Sequence, residues 1–125
     1  MEYIQKLLQL STSKKYKKGS VIISEGSGAP YCMYIILTGG VSVYKNHNEP
    51  EEVLLTTLKP GDFFGEMSLY LKQPRTATVF ATKETIAVEI DEKNVESILH
   101  EYPDFTRHII NTLCLRISDL NERLI

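Results

Sequence analysis

In this 125-residue chain, Glu66 and Arg75, nine positions apart, are the pair whose types and spacing can do chemistry. Arg75 stands between Pro74 and the small residues Thr76 and Ala77, at the expected mouth of a strand. There a planar guanidinium can grip two phosphate oxygens, each charge-assisted bond contributing about 1.5–3 kcal/mol. Glu66 follows Gly65 and opens the run Glu66–Leu71, long enough for one or two helical turns. The start of such a turn offers free N–H groups and a positive dipole end to an anion. A carboxylate cannot bind phosphate, so Glu66 needs a separate task, and accepting a hydrogen bond from a sugar hydroxyl fits. A ligand carrying both phosphate and ribose satisfies the two residues together. The competing reading is a structural Glu66–Arg75 ion pair across the loop.

Other chemistries lack their residues. His47, His100 and His108 are scattered, and no His-x-His, Cys-x-x-Cys or His-Glu-x-x-His spacing exists to hold a metal. No Gly-x-Ser-x-Gly elbow is present, and neither Cys32 nor Cys114 has a neighbouring histidine to activate it. The expectation is a protein that is not an enzyme, with no catalytic residue, no metal and no cofactor, and histidines on surfaces or helix faces.

The elements that position Glu66 and Arg75 are punctuated by glycine. All seven glycines lie within the first 65 residues, and all four arginines lie after them. Between the glycines the residues read as short strands: Ser20–Ile23, Cys32–Leu37, Val41–Tyr44 and Val53–Leu58, with a tight hairpin at Thr38-Gly39-Gly40. Lys59-Pro60-Gly61-Asp62 is turn chemistry. Two later strands run Thr76–Thr82, with Ala77, Val79 and Ala81 on one face, and Thr85–Ile90, with Ile86, Val88 and Ile90 on one face. Closely spaced strands of this length indicate an antiparallel sandwich or roll. Tyr3, Ile4, Leu7 and Leu8 recur at helical spacing near the start. Asp91 can cap a helix carrying Val95, Ile98 and Leu99, and Pro103 opens a last helix with a stripe of Phe105, Ile109, Leu113, Ile117, Leu120 and Leu124. That stripe either packs on its own sheet or pairs with the same helix of a second subunit.

Composition is ordinary for one globular domain: 42% apolar, 24% charged and a formal charge of −2. No apolar run reaches the roughly 18 residues of a membrane span, and no secretory signal is visible. The two separated cysteines read as buried thiols in a reducing, cytoplasmic setting. The acidic balance provides no basic patch for nucleic acid. Lys14-Lys15-Tyr16-Lys17-Lys18 reads as a solvated strand edge.

Phe64-Gly65-Glu66-Met67-Ser68-Leu69, followed by Pro74-Arg75-Thr76-Ala77-Thr78-Val79, resembles the phosphate-binding cassette of cyclic nucleotide-binding domains. These include the sensor domain of the catabolite activator protein, regulatory subunits of cyclic-nucleotide-dependent kinases and gated cation channels. Lys18-Gly19 with Ile22 and Glu25-Gly26 resembles the family's opening strand and turn, and Met33 to Val43 its next hairpin. The implied fold is mainly β with flanking helices. It is an antiparallel β-roll or jelly roll (a double-stranded β-helix) with a short N-terminal helix, a phosphate-cassette helix and two C-terminal helices. The expected single domain of 1–125 divides into an N-terminal helical segment 1–15, a β-roll 16–91 with cassette 64–79, and helices 92–125.

The resemblance implies that the ligand is cAMP or cGMP. Arg75 would pair with the cyclic phosphate, Glu66 would accept the ribose 2′-hydroxyl, and Gly65 would sit against the ribose. Backbone N–H groups around Ser68 and Ala77 would join the anion site, while Thr76 bears weakly on the choice of base. Phe64, Met67, Val43, Leu55 and Thr56 fall at pocket-lining positions, each equally readable as core. Arg116, Leu120 and Asn121 fall near positions that meet the purine, although a solvated face is the stronger reading for Arg116. The Gly26–Tyr31 loop departs from the family in lacking its common acidic residue. The implied role is the effector-binding part of a bacterial transcription regulator, a homodimer through 103–125 with no direct nucleic-acid or membrane contact. The alternatives are a same-fold sensor of another anion and a ligand-independent dimerisation module.

Overall fold

The computed structural model describes Leu7 and residues 12–124. Tyr3, Ile4 and Leu8 of the expected first helix lie outside the described residues; Leu7 is helical and fully buried. The described strands are β1 (Thr12–Tyr16), β2 (Val21–Ile23), β3 (Cys32–Thr38), β4 (Val41–Lys45), β5 (Val53–Leu58), β6 (Phe63–Phe64), β7 (Thr78–Ala81) and β8 (Thr85–Asp91). The helices are α1 (Glu66–Leu71) between β6 and β7, then α2 (Val95–Glu101) and α3 (Pro103–Leu124). The sheet therefore starts at Thr12 rather than at residue 16.

These strands form two four-stranded antiparallel sheets, in the orders β1-β8-β3-β6 and β2-β7-β4-β5. The alternation of side chains along a strand gives β3 two buried faces. Met33 and Ile35 join Val88 and Ile90 of β8 against Leu7, Leu69, Val95, Ile98, Phe105 and Ile109. Cys32, Tyr34 and Ile36 join Ala87, Ile23, Val41, Phe64 and Val79 inside the roll. The first of these two cores thus cements helices onto a sheet, and the second cements sheet to sheet. Ile86, placed with Val88 and Ile90 by strict alternation, is only half-buried, and Ala87 is fully buried in the second core. β8 is covered on both sides, so its burial does not follow a one-face pattern.

Local chemistry sets the boundaries. The β1 edge carries Lys14 and Lys15, whose ammoniums pair with Glu89 at 2.8 Å and Glu84 at 3.4 Å. Gly61, at φ 93°, closes the Lys59–Asp62 turn. There the Lys59 N–H donates to the Asp62 carboxylate at 3.0 Å. Asp91 accepts the N–H groups of Lys93 and Asn94 at 2.9 and 3.0 Å, a capped turn that precedes α2 rather than its first residue. Pro103 does open α3. That helix is buried at Phe105 and Ile109 and part-buried at Leu113, but Ile117 and Leu120 are exposed. The expectation of two buried thiols is corrected: Cys32 is buried, whereas Cys114 lies on the exposed side of α3, and both are free. Among the described residues no helix is long and apolar enough to cross a membrane.

Candidate functional site

Arg75 lies in the segment between α1 and β7, and its main chain is fixed before its side chain is considered. The Gly26 N–H donates to Arg75 O at 2.7 Å, and Arg75 N–H donates to Ser27 O at 3.0 Å. The next residue is also tied down: the Lys45 ammonium donates to Thr76 O at 2.8 Å and pairs with Glu25 at 3.3 Å. The Asn46 N–H donates to Glu25 Oε1, and with Lys45 this holds the Glu25 carboxyl below its ordinary range.

The guanidinium of Arg75 points into the fold. Nη1 donates to Gly65 O at 3.0 Å and Nη2 to Cys32 O at 2.8 Å. Arg75 is only 7% exposed, yet among the described residues no carboxylate pairs with it. A buried cation held by neutral groups has lost its water without gaining a counter-charge, an arrangement that favours an incoming anion. Cys32 lies alongside, its Sγ 3.9 Å from Nη2 and donating to Tyr34 Oη at 3.2 Å. Burial pushes the Cys32 thiol up, so it stays neutral beside the arginine.

Gly65 makes this packing achievable. It takes φ 86°, and a Cβ built on it would sit 2.9 Å from Cys32 O and 3.0 Å from Arg75 Nη1. The close approach at Gly65 is thus to the arginine and to the β3 main chain. α1 then starts without a side-chain cap and places Glu66 at 8% exposure.

The Glu66–Arg75 ion pair is replaced by a different one. Arg116 of α3 reaches Glu66, Nη1 donating to Oε1 at 2.8 Å, while Nη2 donates to Phe63 O at 3.3 Å. Its guanidinium also covers the Phe63 ring at 5.0 Å. The solvated-face reading of Arg116 is corrected: helical register brings it, two turns after Ile109, onto the same side of α3 that packs on the roll. His108 makes a second tie, its Nε2 3.1 Å from Gly61 O and its ring edge-on to Phe63 at 5.7 Å.

These groups meet in a cavity of about 280 Å³, near the lower end of the ~300 Å³ common for small-ligand sites. Phe64, Gly65, Glu66, Met67, Ser68, Arg75, Thr76 and Ala77 all line it, together with Val43, Leu55, Thr56 and Arg116. Leu120 and Asn121 do not; both sit on the exposed end of α3, beyond Arg116. Ile23, Leu58, Phe63 and Val79 line it unanticipated. Ile23 and Val79 were legible as strand residues, Val79 on a face with Ala77 and Ala81, but nothing in their spacing says that they face a void. Phe63 belongs to a two-residue strand too short for a periodic signal. The cavity therefore has one charged end, Glu66 and Arg75, and apolar walls of Val43, Leu55, Phe64 and Val79.

The model of the cyclic nucleotide-binding domain matches residues 13–102. The chain is 28% identical over 109 residues to the CRP-like cAMP-activated global transcriptional regulator of Mycobacterium tuberculosis, covering 87% of this chain and 48% of that protein. It is 33% identical over 96 residues to the cAMP-dependent protein kinase regulatory subunit of Blastocladiella emersonii, covering 77% of this chain and 24% of that one. Among solved structures, the Thermus thermophilus catabolite activator protein superposes with a TM-score of 0.85 at 24% identity, over 98% of this chain and 57% of that one, a likeness of fold. The chain spans about half the length of the bacterial regulators it matches and about a quarter of the kinase regulatory subunit. With a roll, a glycine-opened cassette and a buried arginine in the matched segment, this chain belongs to the cyclic nucleotide-binding domain family.

Proposed function

We propose that the chain binds a 3′,5′-cyclic purine nucleotide, with cAMP the first candidate, as the effector-sensing part of a regulatory protein. The observation that carries this reading is Arg75, a buried guanidinium with no carboxylate partner among the described residues, beside a carboxylate in one cavity. A guanidinium has five N–H donors, and Arg75 spends its described hydrogen bonds on two carbonyls and a thiol. The remainder serve the cyclic phosphate, joined by main-chain N–H groups near Ser68 and Ala77. Arg116 occupies Glu66 Oε1, so Oε2 accepts the ribose 2′-hydroxyl. The apolar walls hold the purine. The names of the relatives, a cAMP-activated regulator and a cAMP-dependent kinase subunit, favour cAMP over cGMP.

Signalling follows from which elements touch the site. Leu69 of α1 is buried against Val95, Ile98 and Phe105, so a shift of the cassette is passed to α2 and α3. Arg116 ties α3 to the carboxylate that the ribose engages. Occupancy then favours the helix arrangement to which the ligand binds more tightly. The exposed residues Ile110, Cys114, Ile117 and Asn121 recur at steps of four and three on α3. This stripe faces away from Phe105 and Ile109 and suits pairing with the same helix of a second copy.

Thermal denaturation tests the binding. A ligand present at 100 times its Kd adds about 2.7 kcal/mol to the folded state. cAMP should raise the melting temperature, cGMP less so, and inorganic phosphate at the same concentration hardly at all. Equal, small effects of all three would favour a sensor of another anion. No effect, together with a stable dimer, would favour a dimerisation module.

A further inference from the structure

Arg75 is held by one loop at both ends. Gly26 and Ser27 pair with its main chain, and four residues later the ring of Tyr31 receives its guanidinium, with Cζ 5.7 Å from the ring centroid. The very next residue, Cys32, supplies the carbonyl that accepts Nη2. Tyr31 itself is half-buried. A carboxylate at this point would also hold the guanidinium, but it would take the same N–H edge that an anion needs and would cancel its charge. An aromatic ring attracts the flat face of the group instead and leaves the N–H edge open.

We propose that Tyr31 is a positioning residue for the anion site: its ring face orients the Arg75 guanidinium while leaving the charge unneutralised. This rests on the reading of Arg75 as the phosphate-binding group. It makes the loop that lacks an acid a working part of the site, and it assigns the orienting task to the π face rather than to the phenol hydroxyl.

The test uses the full chain and the variants Tyr31→Phe and Tyr31→Leu. In ligand-free protein, the Arg75 Nε–H and Hδ resonances, identified by their loss in Arg75→Lys, should be shifted upfield by the ring. Tyr31→Phe should preserve that shift and Tyr31→Leu should abolish it. Calorimetric titration with cAMP should then show Tyr31→Leu binding about fivefold to tenfold more weakly, with Tyr31→Phe within about twofold of the unvaried chain. Far-ultraviolet circular dichroism and melting temperature establish that both variants are folded. Tyr31→Leu binding as tightly as the unvaried chain, or Tyr31→Phe binding as weakly as Tyr31→Leu, would overturn the proposal. If the unvaried chain bound no cyclic nucleotide, the functional reading would fall, while the resonance comparison would still decide whether Tyr31 holds Arg75.

Discussion

Replacing Arg116 by Met removes the charge that ties the last helix to the cassette but keeps an apolar stem over Phe63. Two partners lose their donor: the Glu66 carboxylate at 2.8 Å and Phe63 O at 3.3 Å. A hydrogen bond to a charged group contributes about 1.5–3 kcal/mol when buried, and an exposed ion pair about 0.2–1 kcal/mol. Here the arginine side chain is 40% exposed and the carboxylate 11%, so the pair falls between these limits. The variant should lose about 1–2 kcal/mol, a fall of roughly 3–10 °C in melting temperature for a chain of this length. Much of the loss arises because Glu66 stays buried without its partner, so Glu66→Gln should relieve part of it. Urea denaturation followed by circular dichroism, on the parent, Arg116→Met, Glu66→Gln and the double variant, measures the coupling directly. About 1 kcal/mol of coupling is expected. Single effects that add to within about 0.3 kcal/mol would refute the claim that this pair fastens α3 to the site.

Further outcomes follow from the same geometry. Gly65→Ala must place a Cβ 2.9 Å from Cys32 O at φ 86°, so it should cost about 1–3 kcal/mol in urea denaturation and also weaken cAMP binding by displacing Arg75. The Glu25 carboxyl is held below its ordinary value of 4.5, first by the Asn46 N–H and then by Lys45. A depressed carboxyl contributes stability that is present above its ordinary value and lost as pH falls through the lower folded value. Stability of the parent chain should therefore drop more steeply below about pH 4.5 than that of Glu25→Gln, and identical profiles in acid would contradict the assignment. Mild oxidation should cross-link two copies through Cys114 on a non-reducing gel if α3 pairs with itself in parallel, and Cys114→Ser should abolish the band. Buried Cys32 should resist thiol reagents until the chain is unfolded.

How far the sequence led depends on whether a feature has a local cause. The strand Val53–Leu58 was legible to the residue, because turns bound it on both sides. Glu66–Leu71 was legible because Gly65 and Lys72, both at positive φ, end it abruptly. β6 was not, since two residues carry no period, and the segment before it reads as a turn. β1 was legible only in part: Lys14 to Lys18 read as a strand edge, but exposed Thr12 and Ser13 owe their strand to pairing with β8, more than 70 residues away. At the site, Glu66 and Arg75 line one cavity, as side chains with separate tasks would, and the competing reading of an ion pair between them does not hold. What the sequence did not show is the partner that Glu66 takes instead, Arg116, from a helix 50 positions along. Pairings of that kind are set by how α3 docks on the first core. Leu120 and Asn121 failed to reach the cavity for the same reason: spacing fixes a helix face but not how far the helix projects. The Tyr31 contact has no local signal, because the loop's packing alone brings the ring to a guanidinium 44 positions away.

The central claim is that Arg75 holds the phosphate of a cyclic nucleotide. Isothermal titration of cAMP into the unvaried chain and into Arg75→Ala tests it most directly. Losing two charge-assisted bonds at about 1.5–3 kcal/mol each, partly replaced by water, should weaken binding by roughly 100- to 1,000-fold. Saturable binding of one nucleotide per chain, nearly lost in Arg75→Ala while that variant remains folded, is the predicted result. Equal affinity in the two proteins, or no binding to either, would contradict it.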